Sequence, residues 1–431
     1  MLTIEIHQEN IPAIFRRFCE VVGDRAWLDP ASRVDADIER NALLRDYLTE
    51  QNSLILAFRQ CSIAAANNCN YLPWGFTEHP QLFEAHVFAT QTLALIDTAR
   101  QFSNKRANSL ISRIQDALRY PQAVQALQLE ARVATHFSIS GQIVRFPELG
   151  SGRERFDILI ESLGPDGLEI ECKAITHDKG RKIHRNQVLE FYHSAKPLIQ
   201  TVARDLTSGL AVVVNLPERM PQPADLEAYI QAITSQVLSA KSGLLQDGTL
   251  VHLIDFLPHE LGELKLPLSK ENKTGVERVT GTKNRECLIF QAEGKAGILI
   301  LVLQSSQPDS MLHEVFATLA ESAGRQLTGT RAGAFIGGFQ GLGRTALLEI
   351  ATNEGRDGVY SPLAFEASRF LERSEFPHVV GVGFLSSPDN KAPPNSELSQ
   401  GVSYYFPKRT TSFWHPHFSG MFEKPPLASS A

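Results

Sequence analysis

The feature that most narrows the fold is a change of period near residue 120. Up to about residue 118 the apolar residues recur at spacings of three and four, as in Ile11, Ile14, Phe15 and Phe18, and again in Leu43, Leu44, Tyr47, Leu54 and Phe58. That spacing predicts amphipathic helices. The turn-forming loop from Asn67 to Gly75 interrupts it, and helical spacing returns from about Gln81 to Arg100. Pro121 suits a first helical turn, and 122–138 reads as helix. Three short strand-like runs follow, over 142–146, 155–161 and 168–175, the last two joined by the hairpin signal Gly164-Pro165-Asp166-Gly167. A helix over 186–203 and a buried-strand run over 210–214 come next, then a helix over 226–240. Mixed signals of this kind predict an α/β fold behind an all-helical segment.

The expected division is a helical N-terminal domain over 1–118, an α/β domain over 119–390 and a C-terminal extension over 391–431. Residues 243–296 read as a β-rich insertion, with Ser269 to Thr282 a polar connection. Ile298–Leu303, a helix over 311–327 and the run over 332–336 read as a strand–helix–strand unit with parallel pairing. The stretch from Ser387 to Ser396 and the tail over 425–431 read as loosely ordered.

Composition excludes several classes. Apolar residues at 43% and charged residues at 21% are ordinary for a folded domain. The longest aliphatic run, Ile298–Leu303, falls far short of the ~20 residues of a membrane span. The first residues lack the basic and apolar regions of a secretory signal, so the expected location is cytoplasmic. Five cysteines without a C-x-x-C pair give neither a disulfide framework nor a zinc ribbon.

A net charge of −6 means that any nucleic-acid surface must be local. Two segments qualify. Residues 100–119 carry Arg100, Lys105, Arg106, Arg113 and Arg119 against Asp116 alone, and 179–185 includes Lys179, Arg181, Lys182 and Arg185.

The chemistry concentrates between these segments, in Phe156-Asp157-Ile158-Leu159-Ile160 and Leu168-Glu169-Ile170-Glu171-Cys172-Lys173. Strand alternation puts Glu169, Glu171 and Lys173 on one face and Leu168, Ile170 and Cys172 on the other. Two acids and a lysine on one face of an apolar strand are costly unless they serve each other or a ligand. Hairpin pairing brings Asp157 towards Glu171. Such a pair suits Mg²⁺, which takes oxygen donors and needs only one or two carboxylates beside substrate phosphate and water. Lys173 is then placed to orient a water or to stabilise negative charge, and the run from Lys179 to Arg185 to hold a polyanion.

These residues resemble the PD-(D/E)XK, or restriction-endonuclease-like, nuclease superfamily, whose motif is an aspartate, a spacer, then Glu/Asp-x-Lys on a helix–three strands–helix–strand core. Here Asp157 is followed by a thirteen-residue spacer and Glu171-Cys172-Lys173. The resemblance covers roughly residues 121–215. It implies a mixed central sheet flanked by helices and Mg²⁺- or Mn²⁺-dependent phosphodiester hydrolysis, with DNA the expected substrate because most of the resembling family acts on DNA, and RNA left open. Asp157 and Glu171 become the metal ligands and Lys173 the water-activating residue. Glu130, on the helix before the first strand, and Gln187, on the helix after the lysine strand, become accessory catalytic residues, although Phe191 and Tyr192 match the usual aromatic partner imperfectly. Phe156 stands where the motif has proline. Restriction, phage defence and repair are compatible roles, and the helical segment is free to bind nucleic acid, sense a trigger, or assemble with a second copy or a partner subunit. The competing expectation is an inactive nuclease-fold protein that binds nucleic acid or builds a larger complex.

Two further patterns carry less. Gly338 to Thr345 has P-loop spacing, but Arg344 replaces the lysine and no magnesium-binding acid ends a neighbouring strand-like run. His415-Pro416-His417 lacks a third metal ligand.

Overall fold

The computed structural model describes residues 10–67, 80–147, 154–176, 178–264, 270–282, 286–291, 296–352, 361–387 and 401–421. His177, the loop over 68–75, the stretch over 388–396 and the tail over 425–431 lie outside the described residues. Contacts divide the chain into two compact units. The first is Met1–Asp35, Thr49–Lys179 and Met311–Ala431, and the second is Ala36–Leu48 and Gly180–Ser310. No helix among the described residues is long and apolar enough to cross a membrane.

The N-terminal stretch forms the helices its spacing predicts: α1 (Ile11–Val22), α2 (Arg25–Arg40), α3 (Arg45–Gln51), α4 (Ser53–Ala66), α5 (Pro80–Phe102) and α6 (Asn104–Ala117). The apolar run after Asp37 is broken where Asn41 accepts a hydrogen bond from the Leu43 N–H (3.0 Å), a capping bond that ends one helix before the next begins. The helices close on an aromatic core. Phe18 stacks on Phe58 with ring centroids 4.9 Å apart and on Trp27 at 5.6 Å, and the Trp27 indole N–H donates to Ser62 Oγ at 3.0 Å. Val124 and Leu127 of the next helix, α7 (Pro121–Ile139), belong to the same core. Of the helical segment, the parts up to Asp35 and from Thr49 share one compact unit with the strands that follow, whereas Ala36–Leu48 falls in the second unit.

The sheet of this unit has the order β1-β2-β3-β9-β10-β11. β1 (Val144–Arg145), β2 (Ile158–Ile160) and β3 (Leu168–Ile175) run antiparallel in succession, as the hairpin signal predicts. β9 (Ala332–Phe339) lies parallel to β3, β10 (Val379–Leu385) lies parallel to β9, and β11 (Ser403–Pro407) closes the edge antiparallel. One face packs on α7, where Leu129, Val133, Ala134 and Phe137 meet Ile158, Ile170, Cys172, Ala334 and Ile336. The other packs on α11 (Met311–Arg325) and α13 (Pro362–Leu371), with α12 (Arg344–Thr352) between them in the chain. The expected C-terminal extension contributes to this core: Phe418 and Met421 are buried, and His136 Nε2 lies 2.9 Å from the Met421 carbonyl oxygen.

The second unit carries its own sheet, ordered β5-β6-β4-β8-β7. Its strands are β4 (Gly209–Leu216), β5 (Gly243–Leu244), β6 (Leu250–Phe256), β7 (Leu288–Gln291) and β8 (Ile298–Ser305). Helices α8 (Arg185–Arg204) and α9 (Leu226–Leu238) cover one face, and α10 (Lys270–Thr280) the other. The ends of the excursion meet, since the Ser310 N–H donates to the Gly180 carbonyl at 3.0 Å.

Three expectations about connectivity are corrected. The run over 210–214 does not continue the sheet of β3; it is the central strand β4 of the other sheet, and the parallel neighbour of β3 is β9. Nor do Ile298–Leu303 and 332–336 pair, because β8 lies beside β4 and β9 beside β3. Each is an apolar run buried on both faces, a pattern that identifies a central strand without saying which sheet holds it. What distinguishes β9 is small residues: a Cβ at Gly337 would stand 2.9 Å from both Ile175 and Phe384 side-chain atoms, and one at Gly338 would stand 2.9 Å from Leu129. The third correction is α10, read as a connection because of its polarity and Gly275. That glycine permits close packing, since a Cβ there would lie 2.9 Å from Leu261 Cα.

Candidate active site

β3 is built as its alternation predicts. Leu168, Ile170 and Cys172 face α7, and Glu169, Glu171 and Lys173 project from the opposite face. Glu171 is 1% exposed. Its Oε1 accepts a hydrogen bond from Lys173 Nζ at 2.6 Å, and the same ammonium donates to Gln326 Oε1 at 2.7 Å. Gln326 directly follows α11 and precedes β9, so the lysine head is held from two elements.

Asp157 lies one residue before β2. The ladder pairs Ile158 with Ile170, and one further step in the same register puts Asp157 opposite Glu171. Its Oδ2 accepts the Cys172 N–H at 2.7 Å, extending the ladder with a side chain where β2 has ended. Asp157 is buried, as are Glu130 and Glu169. Burial holds the Cys172 thiol well above its usual range, and the carboxylates of Asp157, Glu130 and Glu171 push it further in the same direction. Three acids thus act on one buried atom from α7, β2 and β3, and only Lys173 opposes them there.

The accessory residues are placed differently from one another. Glu130 on α7 is ion-paired with Arg113 of α6, NH2 standing 2.9 Å from Oε1 and 2.8 Å from Oε2. Glu169 accepts the Thr328 N–H at 2.8 Å, is bonded by the Thr328 hydroxyl and has Arg331 at 3.4 Å, which fixes the loop entering β9. Gln187 does not belong to the β3 sheet's unit. Its Oε1 accepts the His184 N–H at 3.0 Å and caps the start of α8 in the second unit.

The basic run straddles the boundary between units. Lys179 donates to Thr318 Oγ1 at 2.7 Å within the first. In the second, Arg181 (3.3 Å) and Arg185 (2.8 Å) both pair with Glu286, Arg185 also lies 5.7 Å from the Tyr47 ring centroid, and the Lys182 N–H donates to Asp309 at 3.1 Å. Both arginines are thus committed to an internal acid.

Sequence reasoning missed Gln326 and Arg113 as members of this cluster. Gln326 becomes visible only once 332–339 is recognised as the partner of β3, and Arg113 only once α6 is packed against α7.

The Gly338–Thr345 segment does form a strand–loop–helix, but the Gln340 N–H is bonded to the Ile175 carbonyl (2.7 Å) and the Gly341 N–H to Ser387 Oγ (2.8 Å). His415 and His417 are joined by a local backbone bond, the His417 N–H reaching His415 Nδ1 at 3.3 Å.

Among the described residues no group of three or more histidine, cysteine, aspartate and glutamate side chains is arranged to hold a metal ion. Asp157 and Glu171 carry hard oxygen donors of the kind Mg²⁺ or Mn²⁺ takes beside waters and phosphate, with one oxygen of Glu171 bonded to Lys173 and one of Asp157 to the Cys172 N–H. No family model, curated protein or solved structure matches the chain.

Lys173 has two acceptors, and removing one tests the assembly. A hydrogen bond to a charged group contributes roughly 1.5–3 kcal/mol. Gln326→Ala is expected to lower the unfolding free energy by roughly 1.5–3 kcal/mol in urea titration, and Gln326→Glu, which keeps an acceptor, to lower it by less. Equal stability of Gln326→Ala and wild type removes this contact from the forces that hold Lys173.

Proposed function

We propose that this protein is a metal-dependent nuclease of the PD-(D/E)XK type that hydrolyses phosphodiester bonds, with DNA as its substrate. The observation that carries the reading is the buried Glu171–Lys173 contact on β3, with Asp157 opposite Glu171 in register. Burying a carboxylate costs free energy, and a nonfunctional core would be as stable with apolar residues there. The order of elements supports the same reading: α7, β1, β2, β3, α11 and β9 give helix–three strands–helix–strand within one unit once residues 180–310 are set aside as an insertion.

Asp157 and Glu171 would hold the cation, Mg²⁺ or Mn²⁺, which when bound would supply charge neutralisation at the phosphate and a more acidic water. Lys173, fixed by Glu171 and Gln326, holds its ammonium where it orients the attacking water and offsets negative charge developing on phosphorus oxygens. Glu130 is paired with Arg113 and so adds no net negative charge there. A cytoplasmic role in restriction, phage defence or repair accords with this chemistry, and either self-assembly or a partner subunit is compatible with it.

A second reading, a nuclease-fold protein that binds nucleic acid without cutting it, is favoured by one observation: Lys173 already neutralises Glu171 at 2.6 Å. Incubating the protein with plasmid, linear duplex, single-stranded DNA and RNA, in Mg²⁺, Mn²⁺ or EDTA, separates the two. Metal-dependent cutting supports the nuclease, and binding without cutting in either metal supports the second reading.

A further inference from the structure

The surface of α6 is unlike the rest of this acidic chain. Lys105 and Arg106 lie in its first turn, Arg113 in its third, and Arg119 just beyond its end, over a helix of 14 residues, about 20 Å long. Large aromatic side chains stand exposed at both ends, Phe102 at 67% and Tyr120 at 63%. The Arg106 guanidinium lies over the Phe102 ring, 5.8 Å from its centroid. Acids are few: Asp116 faces Arg119 at 3.4 Å, and Asp97 is shared between Arg17 (2.6 Å) and Arg100 (3.5 Å). Arg113 turns inward and pairs with Glu130 of α7 at 2.8 Å.

Exposed rings between cations have a physical counterpart in unpaired bases on a phosphate backbone. Stacking needs a free base face, which a duplex does not present, and the cations neutralise phosphate irrespective of sequence. From this juxtaposition we propose that the segment from Phe102 to Tyr120, with α6 between the two rings, is a binding track for single-stranded nucleic acid. The binding does not rest on the nuclease reading.

The test measures fluorescence anisotropy of a labelled single-stranded oligonucleotide of about 20 nucleotides and of its duplex, in EDTA so that no cutting occurs. Wild type should bind the single strand more tightly than the duplex. Phe102→Ala and Tyr120→Ala should each weaken that binding roughly 5- to 100-fold. Lys105→Gln and Arg106→Gln should each reduce the slope of log K against log salt by about 0.7. The positions are on the surface, and circular dichroism of each variant confirms that it is folded. Equal affinity for duplex, or wild-type affinity in both aromatic variants, overturns the track. If the track holds while the substrate panel stays uncut, the nuclease reading alone fails. If cutting occurs and the variants bind normally, the track alone fails.

Discussion

Glu171→Gln is expected to lower metal-dependent cleavage by about a thousandfold or more at saturating Mg²⁺. The change is isosteric, so the amide oxygen still accepts from Lys173, which stands 2.6 Å from the carboxylate oxygen. At the proposed site the change removes one of two negative ligands, and with it most of the attraction for a divalent cation. Loss of electrostatic stabilisation at a preorganised site costs about 10²–10³ per donor, and loss of the ion adds to that. The change leaves the half-buried Lys173 ammonium without its anion, though still hydrogen-bonded to Gln326, so a loss of up to about 3 kcal/mol in unfolding free energy is expected. Cleavage near the wild-type rate in Glu171→Gln would place the chemistry elsewhere.

The second large effect concerns stability. His86 on α5 is fully buried, 3.8 Å from the Cys61 sulfur and edge-on to Phe15 at 6.2 Å between ring centroids. Burial pushes its imidazole down from 6.5 to about 4. The unfolded chain therefore binds a proton between these two values that the folded chain does not. Stability from this residue is fully present above pH 6.5 and is lost as pH falls towards 4. Over the whole interval the loss is about 3 kcal/mol, at 1.36 kcal/mol per pH unit. His136 and His378 are shifted in the same direction, also by burial first, and add to the acid sensitivity. Urea unfolding at pH 7.5 and pH 5 should show wild type losing about 2 kcal/mol more than His86→Gln across that interval. Parallel losses in the two proteins remove His86 from the account.

How far these features could be read from the residues follows the range of the interactions involved. Local periodicity located α7, the hairpin of β2 and β3, α8 and β4 to within a few residues, because side-chain alternation and turn glycines act within each element. Asp157, Glu171 and Lys173 were legible for the same reason, lying on one hairpin whose register is set by its own turn. Gln326 was not, because its contact with Lys173 spans 153 positions and passes over an entire inserted unit. Gln187 was attractive as the glutamine on the next helix in sequence, yet that helix packs into another sheet and the residue caps it. The basic run over 179–185 was legible as charge, but not the fact that Glu286, a hundred residues on, engages both of its arginines. The helical segment was legible as helix, but nothing local reveals that Val124 and Leu127 of α7 complete its aromatic core.

The account turns on Lys173 acting with Asp157 and Glu171 at a metal-dependent site. Single-turnover cleavage by wild type and by Lys173→Ala, each in Mg²⁺ and in EDTA, on the substrate that the panel ranks first, tests this most directly. The expected result is cutting by wild type in Mg²⁺ that EDTA abolishes and that falls by about 10²–10⁴ in Lys173→Ala. Cutting by Lys173→Ala at the wild-type rate, or cutting by wild type that persists in EDTA, contradicts it.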